Sequence, residues 1–466
     1  MFRENENLRH FRMINSPMSY WIRRRNRRQL IFTFACLVLL LICGSNIGWS
    51  QSPSTPEVAQ LKKTPVNDLD ESSNSEDRDR SRWGIYGQMY DKSGRKVGGE
   101  FRADFDQWEY PSTPSVSGLS NGGFVVVWNG TGPQKEFIRG IYGQQFSQSG
   151  AKVGSEFKIS IHRLDIESSP CVVGLSHGGF VAAWQGLGGD GRTLGIYAQR
   201  FDVVGKKTGG EFYVNTYPQA QLGPTCIVAL SNGGFTVVWE GARQDRSGLR
   251  IYGQVYDSSG NKVGPEFQAD TSVTYEKSNP AVASLAGGGF VVTWTSILQD
   301  GSETGIYGQR FDAKGNKLGG EFPANSFTRG YQFHPSVTAL SDGGFIVAWE
   351  GLGKVGSGIF GQRYDRNGNK VGQEFLLPAT ARGQMWGSLA GLSGGGFVAK
   401  WTYFYRKDET NEWRVYGQRF DSMGKSIGPE FPIFMGPKGA SLIVSITNLA
   451  GGGFVVVGYN GPIPEP

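Results

Sequence analysis

The sequence predicts an all-β protein, a seven-bladed β-propeller of four-stranded antiparallel blades. A Gly-Gly-Phe phrase occurs seven times at intervals of 52 to 57 residues, and a phrase close to Gly-Ile-Tyr-Gly-Gln recurs in the same phase. Units of that length, too small to bury their own apolar faces, are typical of propellers and stacked repeats. The composition agrees, because Gly accounts for 70 of the 466 residues and strands joined by Gly-rich turns need it. The Phe of the first phrase stands at Phe124, Phe180, Phe235, Phe290, Phe345, Phe397 and Phe454.

One repeat, residues 335–377, shows the four strands. "SVTAL" predicts the first strand, "DG" a two-residue hairpin turn, "GFIVAW" the second strand, "GIFGQRYD" the third, and "VGQEF" the start of the fourth. The turn position holds Asn, His, Gly or Asp in the seven repeats, residues that tolerate a positive φ. The second strand is apolar on both faces, which predicts that sheets cover it on both sides.

The phase of the repeats predicts a closed ring. The chain enters the repeats on a third strand and ends on a second strand. Gly84–Arg102 would therefore supply strands three and four of a blade whose strands one and two come from residues 441–459. An open array would leave unpaired strand edges at both ends, and this arrangement removes them. The blade count is then seven.

A Glu also recurs in all seven repeats and raises the alternative of a cation-binding ring. We interpret the set as structural, because a residue that serves every blade identically is expected to bind backbone amides, or the recurring Gln, between blades. The set comprises Glu100, Glu156, Glu211, Glu266, Glu321, Glu374 and Glu430.

The first 50 residues indicate export. "RRRNRR" precedes the apolar run "LIFTFACLVLLLIC", whose length suits a signal peptide and is short for a bilayer span of about 20 residues. Cleavage after Ser50 and an uncleaved signal anchor both stay open. Residues 51–82 are rich in charges, Ser and Pro, which predicts a flexible linker. The propeller, residues 83–466, is thus expected outside the cytoplasm: periplasmic, secreted or on the cell surface.

Charge and motifs exclude several functions. The net charge of +6 arises in residues 1–50, which hold eight Arg and two Glu, so the remainder has 39 basic and 39 acidic residues. No nucleic-acid partner is predicted.

Cys171 and Cys226 occupy equivalent positions in neighbouring repeats and are interpreted as buried thiols, with a disulfide as the alternative. No metal-ligand spacing appears, so no cofactor is predicted. "QDGSETG" has some of the Asp and Gly character of a calcium loop but lacks the twelve-residue ligand pattern, and calcium is the alternative.

The candidate site follows from the loops. Loops after strands one and three are short and uniform, whereas those after strands two and four are long and different in every repeat. In an up-and-down blade the second class lies on one face, where binding residues are expected. Aromatic rings beside polar groups suit a sugar or a protein partner. The candidate ligand-binding residues on this face are Asp106, Trp108, Glu109, Tyr110, Tyr217, Asp300, Tyr331, Phe333, His334, Trp386, Tyr403, Tyr405 and Trp413.

The repeat also resembles one found in large exported bacterial surface proteins. The resemblance covers about residues 83–460 and rests on "GGFVVTW", "IYGQRFDAKG" and "KLGGEF" within residues 288–322. It implies a bacterial, extracytoplasmic setting and no catalytic residues. We therefore expect a binding or scaffold module for a glycan or an extracytoplasmic protein, with membrane contact only through an uncleaved N-terminal segment. The alternatives are a carbohydrate-cleaving enzyme on the same scaffold and a surface spacer without a ligand.

Overall fold

The structure, a computed structural model, describes residues 84–104, 112–131, 139–161, 167–187, 194–217, 219–243, 248–272, 274–354, 356–377, 384–407, 410–434 and 440–460. The predicted export segment and linker, residues 1–82, lie outside these ranges and stay predictions. Within them all regular structure is β-strand, and no helix is long and apolar enough to cross a membrane.

The described strands form seven four-stranded antiparallel blades, each running from an inner to an outer strand. The inner strands are β3 (Ser112–Gly118), β7 (Ser168–Gly174), β11 (Gln219–Ala229), β15 (Lys277–Ser284), β19 (Gln332–Ala339), β23 (Gln384–Gly391) and β27 (Ala440–Asn448). The second strands are β4 (Phe124–Thr131), β8 (Phe180–Leu187), β12 (Phe235–Arg243), β16 (Phe290–Ile297), β20 (Phe345–Gly353), β24 (Phe397–Lys407) and β28 (Phe454–Asn460). The third strands are β1 (Gly84–Tyr90), β5 (Arg139–Phe146), β9 (Leu194–Phe201), β13 (Leu249–Tyr256), β17 (Thr304–Phe311), β21 (Gly356–Tyr364) and β25 (Thr410–Phe420). The outer strands are β2 (Lys96–Arg102), β6 (Lys152–Lys158), β10 (Lys207–Tyr213), β14 (Lys262–Gln268), β18 (Lys317–Pro323), β22 (Lys370–Leu377) and β26 (Ser426–Phe434).

The blades form a closed ring. Each inner strand contacts the inner strand of the next blade, and β27 contacts β3. The closing blade has the order β2-β1-β28-β27, with β1 paired to β28 along its whole length from Gly84 opposite Asn460 to Tyr90 opposite Phe454. The predicted composite blade is confirmed.

The core lies between the blades. On β20, Phe345, Val347 and Trp349 pack in one apolar cluster with the preceding blade, and Ile346 and Ala348 pack in another with the following blade. Because each second strand is covered on both faces, the apolar residues among its first five positions are almost fully buried, and the predicted two-sided burial is confirmed.

The inner hairpin turn differs from the prediction. Gly122 N donates to Leu119 O and Leu119 N donates to Gly123 O, which makes a three-residue connection in place of two. The positive φ falls on Gly122 (88°), one residue after the predicted Asn121 position. Asn121 instead accepts the Gly123 N–H through Oδ1 at 3.0 Å. Asn and Asp are therefore suited to this position by their side-chain acceptor rather than by their φ preference.

The recurring Glu and Gln residues are part of the scaffold. In every blade the Gln amide donates to backbone carbonyls of the hairpin between the third and outer strands, where the outer strand bulges. Four of the Glu side chains accept a backbone N–H from the preceding blade. These pairs are Ile161 N with Glu211 (3.0 Å), Thr216 N with Glu266 (2.7 Å), Thr271 N with Glu321 (2.9 Å) and Ser326 N with Glu374 (2.9 Å). For these four the structural interpretation is confirmed.

The two cysteines of the repeats are free thiols. Cys226 Sγ donates to Pro280 O at 3.0 Å, and burial raises the pKa of both thiols. The interpretation as unbridged thiols is confirmed, and both side chains are partly rather than fully buried.

Candidate functional site

The two faces of the ring differ as the loop lengths predict. The turns after the inner strand and after the third strand meet on one face, where Gly122 faces Gln148 and Gly452 faces Lys92. Antiparallel strands reverse direction at each turn, so the loops after the second and outer strands lie on the opposite face, the loop face.

The loop face carries a rigid surface formed by three segments, residues 298–303, 326–332 and 352–354, which we name the platform. Hydrogen bonds join the three segments, so they hold one another in place. The bonds are Gly330 N to Ser302 Oγ (3.0 Å), Gln332 N to Thr304 Oγ1 (3.0 Å), Thr304 Oγ1 to Gln332 O (2.8 Å) and Leu352 N to Tyr331 O (3.0 Å).

A buried amide pair supports the platform from beneath. Gln332 is fully buried, and its Nε2 donates to Arg329 O (3.1 Å) and Leu352 O (3.3 Å). Its Oε1 accepts from Asn325 Nδ2 at 3.3 Å, and Asn325 also accepts the Ile306 N–H at 2.7 Å. Because both amides are satisfied, the loop base is fixed to the sheet below.

Three large apolar side chains stand out from the platform. Tyr331 is 50% exposed, Leu298 47% and Leu352 41%. The exposed Glu303 carboxylate lies beside the Tyr331 hydroxyl, and partial burial and this carboxylate together raise the Tyr331 pKa. Exposed apolar patches rimmed by charge mark interaction surfaces.

Asp300 lies at the edge of the platform and turns towards the sheet. Its Oδ1 accepts the Ser302 N–H at 3.1 Å, and its Oδ2 is buried 2.7 Å from the point where a Cβ on Gly305 would lie. Burial, with the nearby Asp300, Glu321 and Tyr275, raises the Tyr307 pKa to about 12. Asp300 therefore shapes this end of the loop rather than projecting into solvent.

Phe333 and His334 follow Tyr331 in sequence and lie on the inner strand β19. Their rings make an edge contact with centroids 4.9 Å apart, and His334 Nδ1 is 3.5 Å from Glu350 Oε2. His334 has φ of 51°, a left-handed conformation that also occurs at Thr113, Ser169 and Asn279. Because other blades share this backbone, it belongs to the inner-strand bulge and is not specific to His334.

Two further predicted aromatics lie elsewhere on the loop face. Tyr217 is 50% exposed in the loop that follows β10. Tyr403 on β24 is half-buried, packs edge-on against Tyr416 with centroids 5.3 Å apart, and donates its hydroxyl to Glu430 at 3.4 Å. Tyr403 thus packs against its own blade and against the apolar cluster shared with the preceding blade, whereas Tyr217 is exposed to solvent.

The remaining predicted residues lie outside what the structure describes. Asp106, Trp108, Glu109 and Tyr110 fall between described ranges. Trp386, Tyr405 and Trp413 lie on β23, β24 and β25, and their side chains lie outside the described part. Of the predicted set, Asp300 and Tyr331 lie on two segments joined by the Gly330–Ser302 hydrogen bond, and Phe333 and His334 follow Tyr331 in sequence.

Sequence reasoning missed polar pairs seven residues apart that close the loops between blades. Ser160 Oγ donates to Glu167 Oε2 at 2.5 Å, as Asn325 donates to Gln332 in the equivalent loop. Burial raises the Glu167 pKa to about 7, against the lowering effect of the Ser160 hydrogen bond. A recurring polar residue seven positions before the inner strand is the sequence signal that could have revealed these pairs.

Two more buried charges were missed because they occupy core positions of the repeat. Burial raises the Glu240 pKa to about 7, and its carboxylate accepts the Asn279 N–H at 2.9 Å from the next blade. Burial lowers the Lys400 pKa to about 8, against the effect of Glu350. Among the described residues, no cluster of three or more His, Cys, Asp and Glu is arranged to hold a metal ion.

No protein-family model matches the chain, and no curated protein matches it. Solved structures with similar backbones do exist. One is the α-L-arabinanase of Penicillium chrysogenum in complex with arabinobiose, at 13% identity and TM-score 0.43, covering 76% of this chain and 94% of that chain.

Two other solved structures also have similar backbones. A protein of unknown function from Dyadobacter fermentans DSM 18053 has 12% identity and TM-score 0.39, covering 75% of this chain and 95% of that chain. The β-propeller domain of the trilobed protease from Pyrococcus furiosus has 11% identity and TM-score 0.39, covering 71% and 97%. What the chain's own sheets establish is its fold, a seven-bladed β-propeller closed by strands from both ends of the repeat region.

Proposed function

We propose that this chain is an extracytoplasmic binding and scaffold module that recognises a glycan or a protein partner through its loop face. The observation that carries the proposal is the platform, where Leu298, Tyr331 and Leu352 are exposed on chain segments joined by hydrogen bonds. A surface that is already rigid loses little conformational entropy on binding, which favours affinity. The extracytoplasmic setting is supported by residues 1–50 and by the resemblance of the repeat to bacterial surface proteins.

The experiment is a glycan-array and pull-down screen with the purified chain, followed by variants against each ligand found. Tyr331→Ala is expected to weaken binding at least about tenfold, or about 1.4 kcal/mol, since central aromatic residues dominate such interfaces. Val204→Ala is the matched control, because Val204 is 74% exposed in a turn on the opposite face. Blank results in both screens would contradict the proposal and favour the ligand-free spacer.

A second candidate function, carbohydrate cleavage, has one observation in its favour. The Glu240 pKa of about 7 would keep part of this carboxyl group protonated at neutral pH, as a general acid requires. The same carboxyl group also binds the neighbouring blade, which accounts for its burial without catalysis. Release of reducing sugar that disappears in Glu240→Gln, with substrate binding retained, would favour the enzyme; binding without turnover would favour the module.

A further inference from the structure

Hydroxyl groups on the inner strands join neighbouring blades near the centre of the ring. Two such bonds connect blade β3–β6 to blade β7–β10, and two connect blade β19–β22 to blade β23–β26. The bonds are Val172 N to Ser115 Oγ (3.3 Å), Gly174 N to Ser117 Oγ (2.9 Å), Leu389 N to Ser336 Oγ (3.0 Å) and Gly391 N to Thr338 Oγ1 (2.7 Å). Because each bond runs from a backbone amide of one blade to a side chain of another, it fixes two inner strands to one another.

The interface between blades β15–β18 and β19–β22, which we name the platform seam, carries alanines at these inner-strand positions, Ala281 and Ala283. In blade β3–β6, Ser115 lies opposite Val127. In blade β15–β18, Ala281 occupies the position of Ser115 and lies opposite Thr293, so the hydroxyl group is on the second strand. Cβ atoms of opposite residues are about 4.5–5.5 Å apart, so this hydroxyl lies one strand further from the centre of the ring.

Two buried hydroxyl groups at the platform seam have no hydrogen-bond partner among the described residues. They belong to Thr293 and Thr295, which are 0% and 3% exposed. Both lie on the face of β16 that carries Val291, which packs in an apolar cluster with β19 and β20. The preceding blade has Glu240 at the position of Thr295, and this longer side chain reaches the next inner strand at Asn279 N (2.9 Å). Since an unpaired buried hydroxyl costs free energy, water that reaches these two groups stabilises an open seam.

Other contacts hold the platform seam away from the centre of the ring. On the loop face, Thr304 Oγ1 of blade β15–β18 accepts the Gln332 N–H at 3.0 Å and donates to Gln332 O at 2.8 Å. On the opposite face, Arg310 Nη1 donates to Arg366 O at 3.0 Å in the turn before the outer strand. Any separation of the two blades is therefore greatest at their inner strands, with the outer part as the hinge.

We infer that blades β15–β18 and β19–β22 separate locally at their inner strands, and that the platform is the strap that limits this separation. The platform lies across the seam, because residues 298–303 follow β16 and residues 352–354 follow β20. A ligand that contacts both Leu298 and Leu352 would hold the seam closed. This coupling to a ligand rests on the proposed function, whereas the separation itself does not.

Thiol labelling measures the separation. Thr293→Cys and Val127→Cys place thiols at equivalent and fully buried positions, one in the platform seam and one between blades β3–β6 and β7–β10. The purified full chain is treated with N-ethylmaleimide, and mass spectrometry of peptides separates the new thiol from the native ones. Thr293→Cys should react at least about tenfold faster than Val127→Cys, because local opening exposes it. Equal rates in two variants with wild-type melting temperatures overturn the inference.

A residue exchange tests the cause of the separation. Ala281→Ser with Thr293→Val recreates the arrangement of Ser115 and Val127 at the platform seam. The Val337 amide, the equivalent of Val172, should then gain a hydroxyl acceptor and exchange with deuterium at least about tenfold more slowly. The reverse exchange, Ser115→Ala with Val127→Thr, should speed exchange of the Val172 amide by a similar factor. Unchanged exchange in both double variants overturns the inference.

Removal of one strap contact tests the role of the platform. Thr304→Val keeps the shape of the side chain and removes both hydrogen bonds to Gln332. Labelling of Thr293→Cys should become about threefold faster or more, with labelling of Val127→Cys unchanged. An unchanged rate for Thr293→Cys overturns the role of the platform as the strap. Ligand binding in the screen above by a chain whose two buried thiols react equally would leave the proposed function standing and remove only the separation.

Discussion

Deleting Gly84–Arg102 should unfold strands that lie more than 300 residues further along the chain. These residues form β1 and β2, and β1 pairs with β28 from Gly84 opposite Asn460 to Tyr90 opposite Phe454. Without β1, the strand β28 becomes an edge, and the closing blade keeps only its two inner strands, β27 and β28. A chain whose repeats folded as independent units would lose only the deleted strands.

The magnitude follows from the side chains that β1 buries. Ile85, Met89 and Tyr90 are 0%, 6% and 2% exposed, and burying each such side chain contributes about 1.5–3 kcal/mol. The three together contribute about 5–9 kcal/mol, which is a large part of the 5–15 kcal/mol that is typical of a whole domain. The remaining half-blade, β27 and β28, is therefore not expected to stay folded.

Hydrogen–deuterium exchange resolves the effect by region. Amides of β27 and β28 should lose protection in the deletion variant, whereas those of the distant blade β15–β18 should keep most of theirs. The control is a deletion of equal length within the predicted linker, residues 60–78. Unchanged protection of β27 and β28 would refute ring closure and, with it, the assignment of the loop face.

Three further outcomes test the packing and the buried charges. Gly289→Ala should lower the free energy of unfolding by about 1–3 kcal/mol, because a Cβ there would lie 2.2 Å from Phe311 O. Gly320→Ala is the control, since a Cβ there would have nothing within 4 Å, and it should change the free energy of unfolding by less than about 0.5 kcal/mol. Equal effects of the two substitutions in denaturant titrations would contradict this packing. The Glu240 pKa is raised on folding from 4.5 to about 7, so its stabilising contribution is complete below pH 4.5 and is lost as the pH rises through 7. Glu240→Gln should abolish that pH dependence and gain about 3 kcal/mol at pH 8, whereas a wild-type stability that is flat across this range would count against the shift. The Lys400 pKa is lowered on folding from 10.5 to about 8, so the unfolded chain binds more protons between these pH values and stability rises with pH there. Lys400→Met should raise the free energy of unfolding by about 3 kcal/mol at pH 7 and remove this dependence on pH. Thermal melting at several pH values measures both effects.

The fold could be predicted from the sequence because every blade repeats the same local pattern. A strand apolar on both faces, such as residues 345–349, can be stable only between two other sheets, so stacking follows without knowledge of the structure. The split of the last blade followed from the phase of the repeats. The turn at Asn121 was mispredicted because residue preference alone does not distinguish a residue that adopts a positive φ from one whose side chain accepts the next amide.

The candidate site could be predicted only as a face. Loop length and composition placed Tyr331 and Asp300 on the loop face, but from the sequence both were equally expected to be exposed loop residues. Their different roles depend on which way each loop turns, and that is set by contacts between segments distant in sequence, such as Gly330 with Ser302.

The sequence by itself therefore determined the repeat, the strands, the number of blades and the closure, since these depend on apolar periodicity within each unit. Only the tertiary structure decided that Leu298, Tyr331 and Leu352 are exposed and that Glu240 and Lys400 are buried charges. The physical reason is that periodicity determines which side of a strand is buried, whereas the position of a loop depends on hydrogen bonds between chain segments that no local pattern records.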